Sequence, residues 1–409
     1  MKHIIILGDG MADHPIGRLG GKTPLQYARK PYMDMLAREG RTGCLITIPE
    51  GYLPGSEVAN TAILGYDLDK VYEGRGPLEA ASIGYEMRPG DLALRCNIVT
   101  LADGRIKNHH GGHLTTEGSD ALIKRLNDRL GGDDIRFVTG VQYRNLLVIR
   151  RGNKHVVCAP PHDHPDACWR PLLAKPEPGW EHRRDGDRMT GQETADLINR
   201  LILQSQEILN GHASLYASGG TLSIWPWGGG YRPDMRKLCD IYPQIRRGAV
   251  ISAVDLIRGI GHYAGLDIIK VEGATGLADT NYEGKVQAAL DALRRCDFVF
   301  LHIEASDEAG HDGDLGLKLE TIENLDRRVV GPIYEEVRTW RDDPVSIALL
   351  PDHPTPVELR THVDEPVPFA IWHNGMEADT VNCFDEYSCA GGSYGLLKLG
   401  EFMQTFLRD

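Results

Sequence analysis

The sequence predicts an α/β fold: a mostly parallel sheet sandwiched by helices, carrying an inserted α+β domain. Short, continuously apolar runs alternate with amphipathic stretches in the first and last parts of the chain. Buried parallel strands and their covering helices produce that pattern. The middle third breaks the alternation. At 409 residues the chain is also too long for one ordinary hydrophobic core, so two domains are expected.

Residues 2–8 are an apolar run closed by Gly8 and Asp9, the pattern of a fully buried strand. Pro24–Glu39 reads as a helix, with Leu25, Ala28, Met33, Leu36 and Ala37 on one face. Gly43–Ile48 reads as the next strand. In the last third, strands are expected at Ala249–Ala253, Asp267–Val271, Phe298–Ile303, Val345–Leu350 and Phe369–Trp372. Helices are expected at Asp255–Ala264, Tyr282–Arg295, Leu315–Trp340 and Tyr394–Leu407. The middle holds an expected strand at Ala93–Leu101, a helix at Thr115–Leu130, and strands at Arg136–Thr139 and Leu146–Arg150. A polar, proline-rich stretch and a helix at Gln192–Leu209 follow. Trp225-Pro226-Trp227-Gly228-Gly229-Gly230 reads as punctuation. The first strands find their helices and neighbours only in the last third. The expected architecture is therefore one domain from 1–85 and 236–409, with 86–235 inserted into it.

The composition, 41% hydrophobic and 25% charged, is that of an ordinary globular protein. A formal net charge of -13 argues against nucleic acid as the main partner. It leaves room for a small anionic substrate, because buried arginines or metal ions reverse the local field. Eight cysteines are scattered without a C-x-x-C pair, so neither a disulfide framework nor a structural zinc site is expected. A reducing, cytoplasmic setting is the expectation. The apolar run Ile4–Leu7 is too short for a signal peptide or a membrane span. The oligomeric state stays open.

The chemistry concentrates at strand ends, where ligands of parallel sheets bind. Asp9 closes the first strand. Asp307 follows Phe298–Ile303, and His311 lies four residues on, which puts both on one face if the segment is helical. Asp352 and His353 close Val345–Leu350 between Pro351 and Pro354, and His362 follows. Three carboxylates and three imidazoles suit manganese or zinc better than magnesium. Two such ions hold the attacking and leaving oxygens of a phosphoryl transfer. The candidate nucleophile is Ser56, after the Pro54-Gly55 turn and where a helix could begin. Each piece also has a plain structural reading. A serine after Pro-Gly is commonly a helix N-cap, and Asp-His between prolines is common in turns. Only their joint occurrence at several strand ends points to metal chemistry.

Four segments carry a family resemblance: Leu7-Gly8-Asp9-Gly10, Gly55-Ser56-Glu57-Val58-Ala59-Asn60, Asp307-Glu308-Ala309-Gly310-His311 and Pro351-Asp352-His353-Pro354-Thr355-Pro356. They resemble the cofactor-independent phosphoglycerate mutases, in particular the archaeal-type branch, within the alkaline phosphatase superfamily. Tyr72–Pro77 and Val271–Gly276 fit that branch as well. The resemblance implies an alkaline-phosphatase-like fold and two divalent ions, manganese first, with zinc, cobalt or magnesium as alternatives. It implies one ion on Asp307, His311 and His362, and the other on Asp9, Ser56, Asp352 and His353. Ser56 would carry a phosphoryl group between 2-phosphoglycerate and 3-phosphoglycerate. The inserted domain would hold the small phosphorylated substrate through Arg95, Arg144, His110 and His113.

One stretch departs from the family. Where the branch shows Ser-Ala-Gly-Arg-Ile, this chain reads His109-His110-Gly111-Gly112-His113-Leu114. Histidine lacks the bidentate fork of arginine. That raises an alternative, the homoserine kinase of a related bacterial subgroup, acting on a hydroxy-acid. A catalytically silent metal-binding protein is the third reading, and a serine among the ligands argues against it.

Overall fold

Continuous apolar sequence makes β1 (Lys2–Gly8), and burial on both faces places it inside a sheet. β2 (Arg41–Ile46) follows. The chain then builds β3 (Asp91–Ala102), β4 (Arg105–Asn108), β5 (Ile135–Val141) and β6 (Arg144–Arg150). Two short strands come next, β7 (Val156–Val157) and β8 (Lys175–Pro176), and then β9 (Thr221–Gly230). β10 (Gly248–Ile251), β11 (Asp267–Ile269), β12 (Phe298–Ile303), β13 (Val345–Leu350), β14 (Val367–His373) and β15 (Gly395–Lys398) complete the strands. This is a computed structural model, and it describes residues 1–112, 114–210 and 220–408. Two units form, Met1–Tyr72 with Asp234–Asp409, and Glu73–Pro233.

The first unit is a mixed α/β layer structure. Its eight-stranded sheet runs β11-β10-β12-β1-β13-β14-β2-β15. β14 is antiparallel to β13 and to β2, and the other neighbours are parallel. Gly8 sits opposite Ile303, and Leu7 opposite Leu350. The residues just beyond these three strands therefore emerge side by side. Ile4 and Ile6 of β1 pack with Met33, Leu36, Leu293, Ile322 and Ile333 of the covering helices in one buried cluster. At about 25 cal/mol per Å² of apolar surface removed from water, such side chains each contribute about 1.5–3 kcal/mol to holding the sheet ends in place.

The second unit is an α+β layer. Its strands run β4-β3-β6-β5, with β9 on the other side of β3 and all pairs antiparallel. The helices Thr116–Leu130 and Gly191–Leu209 bury Leu122, Ile123, Leu126, Ile198, Leu201 and Ile202 in the same cluster as Leu92, Leu94, Leu147 and Ile149. The boundary nearest residue 85 falls at Tyr72/Glu73, because the helix Arg75–Ser82 belongs with β3 and β9.

Several elements differ from the sequence expectations. The helix expected over Pro24–Glu39 is broken into Pro24–Tyr27 and Pro31–Glu39. Pro31 has no N–H for a continuous ladder and starts the second piece. Leu315–Trp340 is helical only to Val337 and passes through a π turn at Asp326–Val330. Tyr394–Leu407 is not one helix. Gly395 and Leu399 have positive φ, so Gly395–Lys398 pairs with β2 instead and only Glu401–Phe406 coils. Trp225–Gly230 is not punctuation but the second half of β9, with Trp227 opposite Arg95. Among the described residues β9 pairs with β3 alone, and an edge strand is where a proline such as Pro226 is tolerated. Among the described residues, no helix is long and apolar enough to cross a membrane.

Candidate active site

The sheet brings together seven residues singled out in the sequence. Asp9 follows β1, Asp352 and His353 follow β13, and Asp307 and His311 lie on the helix Ala305–Asp312 after β12. His362 comes from the loop after Asp352 and His353, and Ser56 begins the helix Ser56–Ile63. Gly55 is the N-cap of that helix, so the Ser56 hydroxyl is not used as a cap. Its Oγ lies 3.2 Å from His353 Nε2.

Two groups of donor atoms could each hold a metal ion: Asp9, Asp352 and His353, and Asp307, His353 and His362, the atoms of each group lying within 4.8 Å of one another. His311 adjoins the second group, with Nε2 3.3 Å from Asp307 Oδ2 and 2.8 Å from His362 Nε2. His362 Nε2 is 3.3 Å from Asp307 Oδ1. His353 Nε2 is 3.4 Å from Asp352 Oδ2 and 3.7 Å from Asp9 Oδ1.

The residues present fit divalent ions. Asp9 Oδ1 is buried with no hydrogen-bond partner, an arrangement costly for a carboxylate unless a cation meets it. Burial, then the Asp352 and Asp307 carboxylates, push Asp9 well above the usual carboxylate range. Burial also acts on Asp307, yet hydrogen bonds from His311 and His362 hold it well below that range. The same hydrogen bond to Asp307 raises His311 to about 9. Burial lowers His353, which keeps it neutral and available as a ligand.

Outer contacts fix these groups. His302, fully buried within β12, reaches Asp9 Oδ2 through Nε2 at 2.9 Å, and its Nδ1 meets Ser252 Oγ at 3.2 Å. Burial pushes its pKa down to about 3, so the ring is neutral where it meets Asp9. Asn60 Nδ2 donates to Asp352 Oδ2 at 2.9 Å and to Ser56 O at 2.8 Å, tying the Ser56 helix to the end of β13. Gly10 N and His353 N donate to Asp352 Oδ1 at 3.1 and 2.9 Å. Gly10 has φ +61, and a Cβ there would lie 2.5 Å from Asp307 Oδ1 and 2.6 Å from Thr355 Oγ1, so only glycine fits. Lys318, fully buried, donates to Asp13 Oδ2 at 2.8 Å and to Thr355 O at 2.7 Å, locking the loop after Asp352 to the loop after Asp9.

Sequence reasoning missed His302, Asn60, Thr355 and Lys318. Signals existed for two of them. A histidine inside the apolar run Phe298–Ile303 is a buried polar group that needs a partner. Asn60 lies four residues after Ser56, one helical turn on.

The other sequence candidates lie in the second unit. Arg95 donates from Nη1 to Glu79 Oε1 at 2.9 Å and from Nε to Asn97 Oδ1 at 3.0 Å. Its guanidinium stacks 5.0 Å from the Trp227 ring centre, with Arg75 5.6 Å from the same ring. Arg95 basicity is lowered by burial and then, against the pull of Glu79, by Arg75 and Arg144 nearby. Arg144 Nε is buried with no partner. His109 lies 5.2 Å from His110, 5.9 Å from Tyr143 and 6.2 Å from His162, ring centre to ring centre. The arginines form one positive cluster, beside which burial lowers His109 and His162, and Arg75 and His162 were not legible as parts of it. His113 lies outside the described residues.

The sheet and the aspartate–histidine–serine cluster beyond its strand ends define an α/β protein with a candidate two-metal centre. A family model described as 2,3-bisphosphoglycerate-independent phosphoglycerate mutase matches residues 37–214. A protein of that name from Methanosarcina barkeri is 42% identical, with all of both chains covered. This chain belongs to the 2,3-bisphosphoglycerate-independent phosphoglycerate mutase family. A solved protein from Pyrococcus horikoshii superposes with a TM-score of 0.81 at 28% identity, covering 100% of this chain and 96% of that one. The cofactor-independent phosphoglycerate mutase of Thermoplasma acidophilum superposes with a TM-score of 0.67 at 26% identity, covering 100% and 99%.

Proposed function

We infer that the protein interconverts 2-phosphoglycerate and 3-phosphoglycerate through a phosphoserine at Ser56. The observation that carries this reading is the Ser56 hydroxyl, 3.2 Å from His353 Nε2 at the start of a helix. One ion would be held by Asp307, His311 and His362, and the other by Asp9, Asp352, His353 and Ser56. Bound there, divalent ions, manganese by the mixed oxygen and imidazole donors, would lower the pKa of the serine hydroxyl and neutralise phosphate charge. Asn60 holds the Ser56 helix in register with Asp352. The first turn of that helix presents its dipole to the phosphate. An alkaline-phosphatase-like ancestry and a cytoplasmic setting go with this reading.

The second unit we take as an inserted, substrate-binding domain. Arg75, Arg95 and Arg144 would hold the phosphate and carboxylate of a small phosphorylated acid, with His109, His110 and His162 beside them. Carrying the phosphoryl group on Ser56 turns a migration between two substrate oxygens into two in-line displacements. The homoserine kinase alternative is not favoured, since the relatives carry the mutase name. The test is Ser56→Ala. Turnover of 3-phosphoglycerate should fall by roughly a thousandfold or more even at saturating manganese, with the fold kept. Near-normal turnover would overturn the covalent route.

A further inference from the structure

We propose that the Thr355 hydroxyl is a positioning group that links Asp307 to His353 and dictates which nitrogen of His353 carries the imidazole hydrogen. This deepens the reading above and rests on it. The hydroxyl carries one proton. Thr355 Oγ1 lies 2.5 Å from Asp307 Oδ1, and an ionised carboxylate only accepts, so the proton goes there. The same oxygen lies 3.3 Å from His353 Nδ1. With its proton committed, Thr355 can only accept on that side, so Nδ1 carries the imidazole hydrogen. Nε2 then keeps its lone pair, directed at Ser56 Oγ and within 3.7 Å of Asp9 Oδ1. The opposite tautomer would set the Nδ1 lone pair against an oxygen lone pair. It would also block Nε2 as a ligand and as an acceptor of the serine proton.

The hydroxyl cannot easily turn away. Thr355 is fully buried, its N–H donates to Ala12 O at 3.2 Å, and its carbonyl accepts from Lys318 Nζ at 2.7 Å. Gly10 and Gly310 pack so closely on it that a Cβ at either would collide with Thr355. One residue thus ties Asp307 to His353, which both donor groups share, and through it to Ser56. Its backbone is anchored by a lysine that touches no candidate ligand.

The test compares Thr355→Val, which keeps the shape, with Thr355→Ser, which keeps the hydroxyl. Metal-free full-length protein is titrated calorimetrically with manganese alone. In parallel, long-range 15N–1H correlation of 15N-histidine-labelled protein reads the His353 tautomer, its signal assigned by loss in His353→Asn. Wild type should take up two ions and carry the His353 proton on Nδ1. Thr355→Val should bind at least one ion about ten- to a hundredfold more weakly and shift His353 towards the Nε2–H form. Thr355→Ser should stay within about threefold of wild type. The proposal is overturned if Thr355→Val binds both ions as wild type does, if Thr355→Ser is as weak as the valine variant, or if wild-type His353 is protonated on Nε2. Should the valine variant fail to fold, the wild-type tautomer and the serine variant still decide. Wild type that binds no manganese but is protonated on Nδ1 would sink the two-ion reading and leave the Thr355 assignment standing.

Discussion

The two halves of the candidate metal centre are built in opposite ways. Around Asp9 and Asp352 everything is buried and held by protein donors: His302, Asn60, Gly10 N and His353 N. Burial and the neighbouring carboxylates drive Asp9 towards protonation. Around Asp307 the histidines are more accessible, and His311 and His362 supply the compensation themselves. In the first half the carboxylates relieve their repulsion by a proton on Asp9, which an ion would displace. The second is stable without one and must give up a proton to bind it. Geometry is thus preset at the serine, where positioning governs rate, and left adaptable on the more open side.

The largest expected effect lies in the buried half. Asp9→Asn keeps an acceptor for His302 but removes a buried carboxylate that its neighbours disfavour in the charged form. Manganese affinity there should drop by about a hundredfold or more, since losing a ligand exceeds losing an outer contact. The metal-free variant should be more stable than metal-free wild type by about 1–2 kcal/mol in urea denaturation. A destabilised apo variant would break the contrast. Next comes His311→Ala on the open side. Affinity for one ion should fall about ten- to a hundredfold, while the apo protein changes by no more than about 0.5 kcal/mol.

A smaller effect concerns pH. His311, raised to about 9, is protonated at neutral pH in the metal-free protein. Ion and proton compete for Nε2, so affinity should rise by up to about tenfold per pH unit towards 9 and then level off. Calorimetry in buffers of different ionisation enthalpy should register one proton released near pH 7.5, and His311→Ala should lose that component.

How much of this was legible in the sequence depends on the range of each contact. Asp9, Asp352 and His353 are marked by their place at the ends of apolar strands, and Asp307 with His311 by a spacing of one helical turn. Thr355 and His302 take much of their meaning from partners 48 and 293 residues away, which no local pattern encodes. The same limit explains β9 and β15. Trp225–Gly230 has turn-like composition, but its burial against β3 outweighs that bias. Gly395–Lys398 is a strand because β2 offers it an edge. Arg95 stood out by residue type, whereas Arg75 shows its place in the positive cluster through the Trp227 ring they share.

The central claim is that Ser56 carries the phosphoryl group. Manganese-loaded wild type should be mixed with 32P-labelled 3-phosphoglycerate, quenched in acid during turnover, digested and mapped by mass spectrometry. The account predicts acid-stable label on the peptide containing Ser56, lost in Ser56→Ala and washed out by unlabelled substrate at the rate of turnover. Full mutase activity with no label on that peptide would contradict it.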